Sequence, residues 1–143
     1  TGLFARSAVS DADRSLVETV VKTTGDLVWV DSEKQLDAVT AISGSGPAYV
    51  FYFLEAMRDA GAQMGLPPEL AQRLAMGTFA GATALAQQAS DPLHTLRERV
   101  TSKGGTTYAA ITSMEASGMK ARFEEALMAA QKRAEELGRE FGK

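Results

Sequence analysis

In Val100-Thr101-Ser102-Lys103-Gly104-Gly105-Thr106-Thr107, two adjacent glycines stand among small hydroxylated residues, just ahead of a stretch that reads as helix. Residues of these types at the head of a helix can hold an anion. The first turn of a helix leaves backbone N–H groups without intrahelical partners and carries positive potential, so negative charge is favoured there. Glycine admits positive φ and has no Cβ to keep a ligand off the backbone. The hydroxyls of Ser102, Thr106 and Thr107 can donate to or accept from a neighbouring polar atom. A plainer reading stands beside this one: Thr106 or Thr107 caps the helix, a position such residues favour.

The other helix starts supply a comparison. Those expected at Ser10, Ser32, Pro67 and Asp91 each carry an acid at the cap or in the first turn: Asp11 and Asp13, Glu33, Glu69, and Asp91 itself. Such an acid offsets the positive end of the helix dipole by roughly 0.3 to 1 kcal/mol. The starts behind Gly44-Ser45-Gly46-Pro47 and behind Gly104-Gly105-Thr106-Thr107 have no acid before Glu55 and Glu115, respectively. The start at Met119 is acid-free as well, but Lys120 and Arg122 crowd it and no glycine-rich lead precedes it. Ser43, Gly44, Ser45, Gly46 and Pro47 therefore form a second candidate motif, for which a tight corner between helices is also a sufficient explanation.

Other chemistries find little support. The 143 residues carry 15 basic and 18 acidic side chains, a net charge of −3, with no Lys/Arg cluster free of interleaved acids, which argues against a nucleic-acid partner. There is no cysteine, and His94 is the single histidine, so neither a disulfide framework nor a metal-ligand set is expected. His94 shares a polar helix face with Arg97 and Glu98 and reads as solvated rather than as part of a Ser-His-Asp set. Neither GxGxxG nor GxxxxGK[ST] occurs, so no nucleotide site is assigned to the chain itself. The apolar run Ala48–Leu54 ends at Glu55, far short of the roughly 20 residues of a membrane span, and neither end resembles a secretory signal. A soluble cytoplasmic protein without membrane contact is expected, and the initial Thr1 suggests a piece of a longer chain.

Positioning these motifs falls mostly to helices. Residues 1–33 form a β-α-β-sized leader: a strand at Gly2–Ala5, a helix from Ser10-Asp11 with Leu16, Val20 and Val21 on one face, and a strand at Leu27–Val30 behind Gly25. So small a sheet is marginal alone, so its strands are expected to pair with something outside the chain. From Ser32 the pattern is helical. Ser32 and Gln35 have capping-box spacing, and the helix behind them reaches Ile42. A break at Gly44–Pro47 precedes an apolar helix to about Met64, and Gly65-Leu66-Pro67-Pro68 precedes another at Glu69 to about Ala89. A short helix then follows Asp91-Pro92, one runs from Tyr108 to Ser117, and the last from Met119 to about Leu137. The fold expected is an all-α bundle, residues 34–143, with a small β-containing leader. The helix from Pro47 is apolar on nearly every side, and Gly77-Thr78-Phe79-Ala80-Gly81 lets another helix approach closely; tight internal packing and an intertwined dimer both account for this.

Asp37-Ala38-Val39-Thr40-Ala41-Ile42-Ser43-Gly44-Ser45-Gly46-Pro47-Ala48-Tyr49, followed later by Val100–Thr107, resembles the C-terminal dimerisation domain of the pyrroline-5-carboxylate reductase family, and the likeness extends over the whole chain, Gly65-Leu66-Pro67 included. The resemblance implies an oxidoreductase of proline biosynthesis that reduces 1-pyrroline-5-carboxylate to L-proline with NADPH or NADH. It implies a helical domain like the C-terminal domain of 6-phosphogluconate dehydrogenase, interleaved as a homodimer that in the family is often assembled further into rings. Residues 1–33 would then be the end of a Rossmann domain otherwise absent, so the chain alone would be inactive and would bind no cofactor tightly. A stand-alone helical dimerisation module without catalysis is the alternative.

The same resemblance assigns roles. Backbone N–H groups around Gly105, Thr106 and Thr107 would hold the substrate carboxylate, with Gly104 and Ser102 forming the turn. The Thr107 hydroxyl would hydrogen-bond the ring nitrogen and so be the catalytic group. Ser43, Gly44, Ser45, Gly46 and Pro47 would shape the pocket floor or the dimer contact. Lys103 departs from the pattern, because the family usually has proline there; it is either a solvated substitution or an added attraction for the anion.

Overall fold

Two residue choices start the chain's first helix. The Ser10 hydroxyl accepts from the Asp13 N–H at 3.2 Å, and the Asp13 carboxylate accepts from the Ser10 N–H at 3.2 Å, a reciprocal cap that fixes α1 (Asp11–Val21). These hydrogen bonds hold the Asp13 carboxyl below its usual range, the Ser10 hydroxyl being the main cause. In the computed structural model, which describes residues 1–141, α1 connects two short parallel strands, β1 (Gly2–Leu3) and β2 (Val28–Trp29), with Gly2 opposite Val28 and Leu3 opposite Trp29. The pairing expected with something outside the chain would engage the strands' remaining edges; here the strands pair with each other. Proximity explains this: the α1 crossover brings the second strand back beside the first.

Trp29 fastens this leader. Its indole N–H donates to Glu18 Oε1 at 2.6 Å, Lys22 Nζ lies 3.1 Å from Glu18 Oε2, and the Arg14 guanidinium sits 5.1 Å from the indole centroid. The Trp29 hydrogen bond, and secondarily Lys22, holds the Glu18 carboxyl below its ordinary value.

After β2, Ser32 caps α2 (Glu33–Val39), its hydroxyl accepting from the Gln35 N–H at 3.3 Å. The Gln35 side chain accepts from the Asp31 N–H at 2.6 Å instead of completing the box on Ser32. α2 lies against β1 so closely that a Cβ at Gly2 would stand 2.8 Å from Val39 Cγ1. α2 widens into a π-helical turn (Thr40–Gly44), and after the bend at Ser45 a new helix, α3 (Gly46–Gln63), begins, at the interruption expected from the sequence.

Gly65, at φ 93°, ends the next turn, and α4 (Pro68–Gln88) begins one residue after Pro67. Near that turn α3 and α4 meet at small residues: a Cβ on Gly61 would lie 2.7 Å from Ala71 Cβ. Three more helices follow: α5 (Leu93–Arg99), α6 (Thr106–Ala116) and α7 (Met119–Phe141). Arg99 reaches back to Asp91 with two bonds of 2.7 and 2.9 Å, which ties the end of α5 to its start. The beginning of α7 meets α3 through edge-on rings, Phe123 with Tyr49 at 5.8 Å and with Phe53 at 5.4 Å.

The chain divides into two compact units, Thr1–Gly46 with the segment from Glu124 onward, and Pro47–Phe123. Neither has a core of large side chains. Among the described residues the only buried hydrophobic side chains are Ala41, Ala71 and Ala75, whereas Phe51 is 61% and Tyr52 71% exposed. The accessible surface is 10976 Å². A compact chain of this mass exposes about 7,100 Å², and even two separate compact bodies of half the mass expose about 8,600 Å². No helix among the described residues is long and apolar enough to cross a membrane, and no group of three metal-ligating side chains is found among them.

Two outcomes follow. Because ionised Glu18 is favoured in the fold, its contribution is full above the ordinary glutamate range and is lost as pH falls through its depressed value; fluorescence of Trp29, the only tryptophan, should report an acid transition in that lower range that Glu18→Gln removes. Gly61→Val should destabilise by about 2 kcal/mol in urea unfolding, since crowding at Ala71 outweighs any gain in helix propensity.

Candidate functional site

The loop between α5 and α6 is a four-residue turn. The Gly105 N–H donates to the Ser102 carbonyl at 2.9 Å, Gly104 has φ 75°, and no described non-glycine residue has positive φ. Negative φ at Lys103 followed by positive φ at Gly104 defines a type II turn, whose third position calls for glycine. Gly105 is required for another reason: a Cβ there would lie 3.1 Å from the Ser102 carbonyl oxygen.

Gly105 is also the N-cap of α6, with φ −82° and ψ 176°, and no side chain caps the helix. The first intrahelical bond runs from the Ala109 N–H to the Gly105 carbonyl at 3.1 Å. Thr106, Thr107 and Tyr108 therefore present the three backbone N–H groups that lack an intrahelical partner. There is no acid in this first turn, and Thr106 and Thr107 are exposed. Capping by either threonine, the plainer alternative, is not what the structure contains. Ser102, Gly104, Gly105, Thr106 and Thr107 are brought together on one turn, but the Gly105 N–H is engaged within it. Tyr108 takes its place as a donor. The sequence pattern obscured this because the helix begins two residues before Tyr108.

The second motif behaves differently. The Ser45 N–H donates to the Thr40 carbonyl at 2.8 Å, the Ser43 hydroxyl donates to the Val39 carbonyl at 3.0 Å, and Pro47 has no N–H. The Ser45 amide is thus drawn into the π-helical turn rather than left at a helix terminus. Ser43, Gly44, Ser45 and Gly46 belong to the first unit and Pro47 to the second. The expected helix break here is preceded by a widened turn; small residues allow the extra residue per turn without crowding.

Helix-start accounting also needs correction. Asp91 is bound to Arg99 and lies outside α5, so α5 has no acid in its first turn, and neither does α7. Absence of an acid therefore does not single out α6; the uncapped threonines behind a glycine turn do. His94 is exposed on α5, as expected.

The family model described as pyrroline-5-carboxylate reductase dimerisation matches residues 33–137. The chain belongs to this family. It is 45% identical over 142 residues to the pyrroline-5-carboxylate reductase of Pseudomonas aeruginosa, covering 99% of this chain and 52% of that protein. A Synechocystis pyrroline-5-carboxylate reductase is 37% identical, with 97% of this chain and 52% of that protein covered. Among solved structures, a pyrroline-5-carboxylate reductase from Coxiella burnetii superposes with a TM-score of 0.89 at 41% identity, covering 95% of this chain and 50% of that one. The Plasmodium falciparum pyrroline carboxylate reductase, solved with NADP bound, gives 0.87 at 30% identity, covering 96% and 57%. The chain spans about half the length of the curated relatives it matches.

Within this dimerisation family the turn accounts for the odd residue. Lys103 occupies the second position of the type II turn, where proline is favoured for its fixed φ, and its N–H takes no part in the turn's hydrogen bond. Lysine loses only the stiffness that proline would give. Lys103→Pro should therefore stabilise the protein by about 0.4 to 1 kcal/mol in thermal or urea unfolding. A loss of stability would show that the turn is not of this type.

Proposed function

We propose that the protein is the dimerising and substrate-binding half of a soluble, cytoplasmic pyrroline-5-carboxylate reductase, which reduces 1-pyrroline-5-carboxylate to L-proline. The single observation that supports this most directly is the trio of unpartnered N–H groups at Thr106, Thr107 and Tyr108 behind the Ser102–Gly105 turn. Residues 1–33 are read as the end of a nucleotide-binding domain, consistent with the parallel pairing of β1 and β2 across α1.

The Thr106 and Thr107 amides hold the substrate carboxylate, with Tyr108 the third donor in reach of the same space. Hydrogen bonds to a charged group contribute roughly 1.5 to 3 kcal/mol each, so two or three suffice to localise a small anion. Thr107 Oγ1 accepts a hydrogen bond from the protonated ring nitrogen. That fixes the plane of the C=N bond and hence the face open to attack. Reduction places a hydride on the imine carbon, and the C=N π pair moves to nitrogen, which becomes the neutral amine. The threonine hydroxyl can then donate to the new lone pair. No strong general base is needed, because the iminium is already electrophilic.

NADPH or NADH supplies the hydride in the complete enzyme. The chain contains no glycine fingerprint for a dinucleotide, so cofactor binding is assigned outside it. The surface in excess of what compact bodies need, about 2,400 Å² per chain, fits an obligate homodimer, whose interfaces commonly bury 2,000–5,000 Å² in total. Ser43–Pro47 then serves the pocket floor or the dimer contact.

Fused to a family nucleotide-binding domain, the chain should give pyrroline-5-carboxylate-dependent NADPH oxidation; an inactive but folded fusion would overturn the assignment. In that fusion Thr107→Ala should lower kcat/KM by about 10- to 100-fold, the equivalent of one charge-assisted hydrogen bond, while Thr107→Ser retains most of the activity. Full activity in the alanine variant would remove Thr107 from its role.

A further inference from the structure

The Ser102–Gly105 turn fixes its donors relative to one another, and Thr101 fixes the turn relative to α5. α5 ends at Arg99, and Thr101 lies outside any helix. It is nevertheless bonded to α5 twice: its N–H donates to the Glu98 carbonyl at 2.9 Å, and its hydroxyl to the Arg97 carbonyl at 2.6 Å. The Val100 N–H donates to the same Arg97 carbonyl at 3.2 Å, so both lone pairs of that oxygen are engaged. In a continuing helix the Arg97 carbonyl would accept the backbone N–H four residues on, which is that of Thr101. The hydroxyl takes that place, so the backbone can leave the helix while the residue stays fastened to it. Thr19, Thr40 and Thr78 also donate to the carbonyl four residues back, but from within helical turns whose backbone bonds already hold them. Among the described residues, only Thr101 makes this bond outside a helix.

Little else holds the donor end of α6. Thr101 is half-buried, whereas Ser102, Lys103 and Gly104 are exposed, so Thr101 is the last covered residue before the turn. A second tie between α5 and α6 joins the Arg97 guanidinium to the Glu115 carboxylate at 3.8 Å, with the two side chains 49% and 62% exposed. An exposed pair of that length is screened by solvent and salt and holds weakly. It also acts at the wrong end: Glu115 lies eight residues beyond Thr107, about 12 Å along the helix axis. The support behind Thr101 is firmer, because Arg99 ties the end of α5 to Asp91 with two charge-assisted bonds. The short hydroxyl bond beside the turn is therefore the stronger hold on where the turn leaves α5.

We infer that Thr101 is a positioning residue for imine reduction: its hydroxyl, held by the Arg97 carbonyl, sets how the turn leaves α5 and thereby where Thr106 and Thr107 present the substrate to the hydride donor. This deepens, and rests on, the reductase proposed above. Thr101 acts through the turn and not by contact with the substrate. Without its hydroxyl bond the turn still closes through its own Gly105–Ser102 bond, so the carboxylate donors keep their mutual arrangement and the substrate still binds. What shifts is the placement of the bound C=N carbon against the hydride, to which the rate is steeply sensitive. The loss therefore falls on kcat and spares KM.

The test uses the fusion to a family nucleotide-binding domain. Thr101→Val keeps the shape of the side chain without its hydroxyl and should lower kcat about 10-fold, with KM for pyrroline-5-carboxylate within about twofold of wild type. Thr101→Ser keeps the hydroxyl and should restore most of kcat. Should the valine variant not fold, Thr101→Ala removes the same hydroxyl and carries the same comparison, with circular dichroism reporting the fold. A merely structural role would lower the unfolding temperature and leave kcat of the folded enzyme unchanged. A folded variant lacking the hydroxyl that keeps wild-type kcat overturns the positioning role and leaves the proposed function standing. A loss confined to KM, or a serine variant as slow as the valine one, does the same. A folded wild-type fusion without activity overturns both.

Discussion

The dominant physical constraint on this chain is apolar surface that it cannot cover by itself. The excess over two compact bodies is about 2,400 Å². The buried residues are small: Ala71 against Gly61 sets how closely α3 and α4 approach near their turn, while most large side chains stay exposed.

The candidate site depends on the same circumstance. α6 carries the three unpartnered N–H groups, yet its own residues are nearly all exposed in the chain, Tyr108 and Met114 among them. The turn before it is rigid for local reasons, with the Ser102–Gly105 bond, the left-handed Gly104 and the close approach at Gly105 all acting within four residues. Donor geometry is thus fixed locally, by the turn rather than by packing of the helix it leads.

Most of the helices were legible in the sequence, because apolar periodicity, Ser10, Ser32, Pro68 and the glycines at 65 and 118 act over a few residues. The misreadings share a physical origin in competition between local and longer interactions. Asp91 has the chemistry of an N-cap, but Arg99 eight residues on offers it two charge-assisted bonds. Gly44-Ser45-Gly46-Pro47 has the composition of a break, and the chain does change element there, but by way of a widened turn that bonds the Ser45 amide back to Thr40. Thr106 and Thr107 have the chemistry of caps, but the glycine before them takes the extended conformation that a cap requires, and both threonines enter the helix. The two leader strands were legible as strands, while their pairing with each other was not, since it depends on where α1 returns the chain.

The site motif shows the same competition at one residue. Within a type II turn the second position contributes conformation alone: its N–H is outside the turn's hydrogen bond, and its side chain points into solvent wherever the turn itself is exposed, as it is here. Proline and lysine therefore differ at that position mainly in the entropy of the unfolded chain. Gly104 has no such latitude, because its φ of 75° excludes most side chains. Lys103, which stood out in the sequence as the motif's departure from pattern, is for that reason the position where the turn constrains chemistry least, and the glycine beside it is where it constrains most.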